Sequence, residues 1–211
     1  MVTNCETDCC TLLEKFPKLT KRADSTKRPN HNYILKLDVD ADFEPKMTIA
    51  RRCNLVVQND ENSCDLERLG GVTRGDAQFG ASPKTVVKRK DGSLRVCVDY
   101  TYLNKHTLPL SYILQCIDQP SSDIPERTRI FSALDLKEAH FSLPLEKEAK
   151  KYIAIITRTG VFSPQRTQFG LKNAPVRYQS MMDDILRPCR RYTFLYLDDI
   201  LVFSETQQEH L

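Results

Sequence analysis

The stretch FLYLDDILVFS, residues 194–204, sets Asp198 and Asp199 inside an apolar, strand-forming run. Successive side chains of a straight strand point to opposite faces, so an unbroken strand would send the two carboxylates apart and bury one of them. A tight turn over residues 197–199 resolves the conflict. FLY then runs up, ILVF runs back, and the carboxylates emerge at the tip of a hairpin whose apolar flanks anchor it. Two aspartates in a turn are by themselves explained by turn chemistry. A third carboxylate adds a chemical reading: Asp135 ends another apolar run, IFSALD, and its side chain also falls at the edge of a sheet. Three clustered carboxylates repel one another unless divalent cations neutralise them, and Mg²⁺ takes hard oxygen ligands of this kind.

The rest of the chain supplies a setting for such an edge. Its 211 residues and 40% hydrophobic content suffice for one sizeable domain or two small ones. From Ser82 onward, short apolar runs alternate with turn signals. TVVKRKDGSLRVCVDY reads as two strands joined at Asp91 and Gly92, because glycine tolerates the positive φ of a hairpin turn. IFSALDL (130–136), YIAIIT (152–157) and FLYLDDILVF (194–203) read as further strands. APVRYQSMMDDILRPC (174–189) reads as a helix, with Val176, Tyr178, Gln179, Met182, Ile185 and Leu186 at mainly helical spacings after a proline suited to a first turn. This order predicts an α+β domain with an antiparallel sheet.

Residues 1–80 show no sustained period and read as a loosely packed extension. They carry 12 basic and 13 acidic side chains, against 19 and 15 in residues 81–211. The basic surplus of the second part is compatible with a polyanionic partner but too small to argue for one. VDADFEP (39–45) alternates acids as a calcium loop does, yet lacks the glycine and distal glutamate, and reads as a solvated strand end. Eight cysteines without C-x-x-C pairs, and no apolar run of membrane-spanning length, predict a reducing intracellular setting and no membrane partner. The cluster CETDCC (5–10) reads as chance rather than a zinc site, since four well-spaced ligands are missing.

Four blocks, SPKTVVKRKDGSLRVCVDYTYLN (82–104), LDLKEAHFSLPL (134–145), FGLKNAPVRYQSMMDDIL (169–186) and YLDDILVFS (196–204), together resemble the fingers and palm of reverse transcriptases of gypsy-type LTR retrotransposons. The resemblance covers residues 82–211 in order. It implies a right-hand polymerase fold and RNA-directed DNA synthesis, in which a primer 3′-hydroxyl attacks the α-phosphate of a dNTP on an RNA or DNA template. Two metal ions, Mg²⁺ or alternatively Mn²⁺, would assist the attacking and leaving oxygens. Asp135 and Asp198 would be the principal ligands and catalytic residues, Asp199 would complete the set, and Leu136 would offer its carbonyl.

The same resemblance assigns the fingers hairpin to the triphosphate through Lys88, Arg89, Lys90 and Arg95, which on the residues alone read equally as a solvated charge run. Phe169 would line the nucleotide pocket, Gly170 would allow close approach, and Gln179 and Tyr196 would face template and primer. The family's aromatic residue five places after the first aspartate, which stacks under the sugar, is here His140; a smaller polar ring there implies weakened sugar discrimination. Gln168, Leu94 and Phe79 stand where the family commonly has proline or tryptophan. The family's thumb and RNase H follow the catalytic hairpin, and no counterpart is expected in residues 205–211. Three alternatives remain at this point: a remnant with the fold but without polymerase activity, an α+β interaction domain, and an RNA-dependent RNA polymerase, against which the fingers hairpin and FGLKNAP argue.

Overall fold

A computed structural model of the chain describes residues 6–17, 30–44, 46–48, 72–75, 80–88, 94–113, 124–136, 139–157 and 159–210. For residues 6–10, 80, 81, 83–88 and 94–96 the backbone alone is described. In chain order the elements are α1 (Glu6–Lys15), β1 (Lys46–Met47), β2 (Val72–Arg74), β3 (Gly80–Lys88), β4 (Leu94–Val98), α2 (Thr101–His106), β5 (Ile130–Asp135), β6 (Ala154–Thr157), β7 (Gly160–Pro164), α3 (Ala174–Ile185), β8 (Thr193–Tyr196), β9 (Asp199–Ser204) and α4 (Gln207–His210). Among the described residues, the strands form a three-stranded antiparallel sheet in the order β5-β9-β8 and a sheet in the order β1-β3-β6-β7-β2 with β4 joined to β3.

The nine-residue β3 pairs with three strands along its length. Its first residues run parallel to β1 and β6, and from Lys84 to Lys88 it pairs antiparallel with β4, Val87 standing opposite Arg95. The two strands read on either side of Asp91 and Gly92 therefore pair antiparallel, while the turn residues themselves lie outside the described residues. A second hairpin joins β6, read as a strand, to β7, which the sequence reading did not single out: Thr157 pairs with Gly160, whose φ of 141° glycine alone adopts readily.

Helix α3 begins with a proline in its first turn and buries Ala174, Tyr178, Met181 and Met182, the i, i+4, i+7, i+8 stripe of an amphipathic helix. Met181 takes the place expected of Ile185, which is 48% exposed because the helix ends there and the chain passes into a 3-10 turn at Arg187–Cys189. The stripe packs in one core with Leu195 and Ile200 of the three-stranded sheet and with Tyr100, Leu143 and Ile153. Residues 33–39 also enter that core, which corrects the expectation of loose packing for this segment. Leu35 and Leu37 are buried, the Leu35 N–H donates to the Pro144 carbonyl at 2.9 Å, and the Leu35 carbonyl accepts from Glu146 N–H at 3.0 Å. Isolated apolar residues in a polar stretch gave no periodic signal, yet two buried leucines and two backbone hydrogen bonds suffice to dock it. No described helix is long and apolar enough to cross a membrane.

Candidate active site

Tyr196 pairs with Asp199, leaving Leu197 and Asp198 as a two-residue hairpin turn. The turn is one residue shorter than expected, and Asp199 is the first residue of β9 rather than its tip. Leu197 takes φ 54°, the positive value at the first turn position that matches the right-handed twist of the strands. Across the other edge of β9, Asp135 stands directly opposite Asp199. Directly opposed residues share a face of the sheet, so these exposed carboxylates face the same way. The Leu136 N–H donates to the Asp198 carbonyl at 3.3 Å, tying the end of β5 to the turn. All three aspartates thus gather at one end of one sheet. Among the described residues no three His, Cys, Asp or Glu side chains close into a metal cage. An open edge of opposed carboxylates suits an ion that takes one or two protein carboxylates and draws its other oxygens from elsewhere.

Beside this edge lies an aromatic wall. His140, in the 3-10 turn Ala139–Ser142, meets Phe169 edge-on at 5.2 Å between ring centroids and Tyr178 at 5.4 Å; Phe141 meets Phe169 at 5.6 Å. The residue five places after Asp135 and the FGL phenylalanine, read from separate blocks of the sequence, are brought together within the field of the turn aspartate Asp198. His140 is buried, and its Nδ1 has no hydrogen-bond partner among the described residues. Burial holds its imidazole below the ordinary histidine range, opposed by the negative charge of Asp198. Burial, with Asp198 adding to it, pushes the Tyr178 hydroxyl up to about 12. Both rings therefore sit within the field of Asp198 and are neutral at pH 7.

FGLKNAP owes much of its composition to anchoring. Gly170 has φ 91°, and a Cβ there would lie 3.3 Å from the Val98 carbonyl oxygen, so the fold itself requires glycine. The Asn104 side chain donates to the Gly170 carbonyl at 2.7 Å and accepts from Lys172 N–H at 2.9 Å. Asn173, buried, bridges residues 108 and 110 by donating to the Leu108 carbonyl at 2.8 Å and accepting from Leu110 N–H at 3.1 Å. Lys172 Nζ donates to the Thr107 carbonyl at 2.8 Å. The sequence reading missed Asn104 and Asn173. Their signal was chemical: an amide with a donor and an acceptor at either end of a glycine-bearing loop can hold both strands of chain.

Gln179 requires a correction. It is 2% exposed, and its amide is spent inside the protein rather than facing a template. Its Oε1 accepts from Leu197 N–H at 2.7 Å, and its Nε2 donates to the Asp183 carboxylate at 3.1 Å and the Leu195 carbonyl at 3.3 Å. Its place in the helical stripe beside Tyr178 and Met182 already put it on the buried face. Tyr196, opposite Asp199, shares the face of the aspartates. Of the fingers cations, Lys88 lies opposite Leu94 and Arg95 opposite Val87 by backbone register, while Arg89 and Lys90 lie outside the described residues.

Residues 86–211 match the reverse transcriptase (RNA-dependent DNA polymerase) family. The chain is 30% identical over 206 residues to the Transposon Tf2-3 polyprotein of Schizosaccharomyces pombe, covering 95% of this chain and 15% of that protein. It is 31% identical over 174 residues to the Retrovirus-related Pol polyprotein from transposon 297 of Drosophila melanogaster, covering 80% of this chain and 16% of that one. The chain thus spans about 15% of the length of the first of these relatives. The solved foamy viral protease-reverse transcriptase, in complex with RNA/DNA hybrid, superposes with a TM-score of 0.78 at 20% identity, over 99% of this chain and 28% of that one. The fold is therefore the α+β fingers and palm of a right-hand polymerase, and the resemblance to LTR-retrotransposon enzymes read from the four blocks is borne out. With more than half of its length matched, this chain belongs to the reverse transcriptase (RNA-dependent DNA polymerase) family.

Proposed function

We propose that the chain is the fingers-and-palm part of a retroelement RNA-directed DNA polymerase, with residues 81–211 as that unit and residues 1–80 as its lead-in. The observation that carries this reading is the register of Asp135 opposite Asp199 beside the turn residue Asp198. Like charges directly opposed in a sheet destabilise it unless a countercharge is bound. Asp135 and Asp198 are the principal holders of two Mg²⁺ ions, with Asp199 and the Leu136 carbonyl completing the set and Mn²⁺ as the alternative ion. When bound, such ions would ease deprotonation of the primer 3′-hydroxyl and neutralise charge on the transferring phosphate.

The protein's own groups bind and orient. Lys88, Arg89, Lys90 and Arg95 on the β3-β4 hairpin hold the triphosphate of a dNTP by charge-assisted hydrogen bonds. His140 and Phe169 bound its sugar and base, with the backbone at Gly170 beside them. Tyr196, on the aspartate face, meets the primer terminus. The RNA/DNA hybrid of the foamy viral structure supports a primed template as the partner, and the length of the relatives supports thumb and RNase H elements supplied by a longer polyprotein.

A second reading is nucleic-acid binding without synthesis. Hybrid binding and primer extension, measured together with Mg²⁺ or Mn²⁺, separate the two. Extension on an RNA template that Asp198→Asn abolishes supports the polymerase; hybrid binding with no extension supports the second reading.

A further inference from the structure

The turn that carries Asp198 is built on an unfavourable residue. Leu197 has φ 54°, a left-handed conformation that is unfavourable for a branched side chain and persists only where its surroundings hold it. In a two-residue hairpin loop its N–H also has no partner in the ladder between the strands. Gln179, from helix α3, takes that N–H on its Oε1 at 2.7 Å, the shortest of the three bonds its amide makes. The amide cannot turn round. An ionised Asp183 is an acceptor only, so it fixes Nε2 toward itself, and the Leu195 carbonyl makes the same demand. Tyr112 in turn donates its hydroxyl to the other oxygen of Asp183. The chain of contacts runs from Tyr112 through Asp183 and Gln179 to the backbone of the turn.

We propose that Gln179 is a positioning residue of the active site: its amide, oriented by Asp183, holds Leu197 in its left-handed conformation and so fixes where the Asp198 carboxylate stands. This consequence for synthesis rests on the polymerase reading. The lock itself does not, since it is a property of the folded chain. A merely core-filling residue would need only volume, which methionine supplies without either hydrogen-bonding end.

The test is amide hydrogen exchange on the full chain, wild type beside Gln179→Met and Asp183→Ala. In Gln179→Met the Leu197 amide should exchange about 10-fold faster, the equivalent of one hydrogen bond, while the Ile200 amide in the ladder keeps its protection. Asp183→Ala, which leaves the Leu197 bond but removes one of the two acceptors that orient the amide, the Leu195 carbonyl being the other, should give about threefold at Leu197, and it carries the test should the methionine variant not fold. Primer extension adds a second readout: Gln179→Met lowers kcat with the KM for dNTP unchanged, and Leu197→Gly, for which φ 54° is unstrained, recovers part of the loss. Unchanged Leu197 exchange in folded Gln179→Met, or in Asp183→Ala if the former does not fold, overturns the proposal even where the wild type extends primers. Faster exchange in a chain that extends no primer sustains the lock and removes the polymerase reading alone.

Discussion

Asp135 and Asp199 face each other across β5 and β9, two like charges at directly opposed positions of an antiparallel pair. Such a pair is held together against its own repulsion, and the arrangement makes sense when a cation is the third party. Neutralising one partner should therefore stabilise the empty fold. Asp199→Asn is expected to raise unfolding stability in chelator by about 0.2–1 kcal/mol, the range for cross-strand pairs. Added Mg²⁺ should raise the wild-type melting temperature more than that of the variant, as ligand linkage requires. Thermal melts with and without Mg²⁺ check both signs.

On the proposed reading, His140 bounds the sugar in the nucleotide pocket. Its ring is packed edge-on against Phe169 and Tyr178, and it is smaller than the tyrosine the family commonly carries. His140→Tyr is expected to raise the preference for dNTP over rNTP by about 10-fold, the discrimination that one added contact of this size supplies. Competition of single dNTP and rNTP pairs in primer extension measures it, and equal preference in both proteins would count against the pocket assignment.

Histidine burial also sets a pH dependence. Burial pushes His140 and His31 down from the ordinary value, with Arg166 adding to the effect at His31. A folded value below the unfolded one means that the unfolded chain binds more protons between the two, so stability rises with pH through that window. The contribution is full above about 6.5 and is lost as pH falls below it toward the folded value. Urea unfolding between pH 7.5 and 5 should show this decline, and His31→Phe should flatten it.

Gly170 is held to glycine by its backbone. With φ 91° and the Val98 carbonyl oxygen 3.3 Å from the place a Cβ would occupy, Gly170→Ala should cost about 1–3 kcal/mol of stability. It should also raise the KM for dNTP, because Phe169 is its chain neighbour. Urea midpoints and initial rates read the two effects separately.

Much of this was legible in the sequence for identifiable reasons. Asp91 and Gly92 announced one hairpin through turn chemistry, and paired aspartates in an apolar run announced the other, since neither could sit in an unbroken strand. Bringing His140 and Phe169 together near Asp198 needed the resemblance, because nothing local joins three separate blocks. What was not legible falls into two kinds. Leu35 and Leu37 dock into the core from a polar stretch, where two apolar residues make no period. Gln179 was assigned to the template by the resemblance, whereas its amide meets the backbone of a turn 18 positions away, a contact visible only once helix and hairpin are packed together.

The central claim is that the Asp198 hairpin is a working nucleotidyl-transfer site. The most direct measurement is incorporation of a single dNTP onto a DNA primer annealed to an RNA template, with Mg²⁺, by the wild-type chain and by Asp198→Asn. The account predicts extension by the wild type and a rate at least about 100-fold lower in the variant, since removal of a group essential to the chemistry costs that or more. Equal rates in the two proteins, or binding of the hybrid with no extension by the wild type, would contradict it.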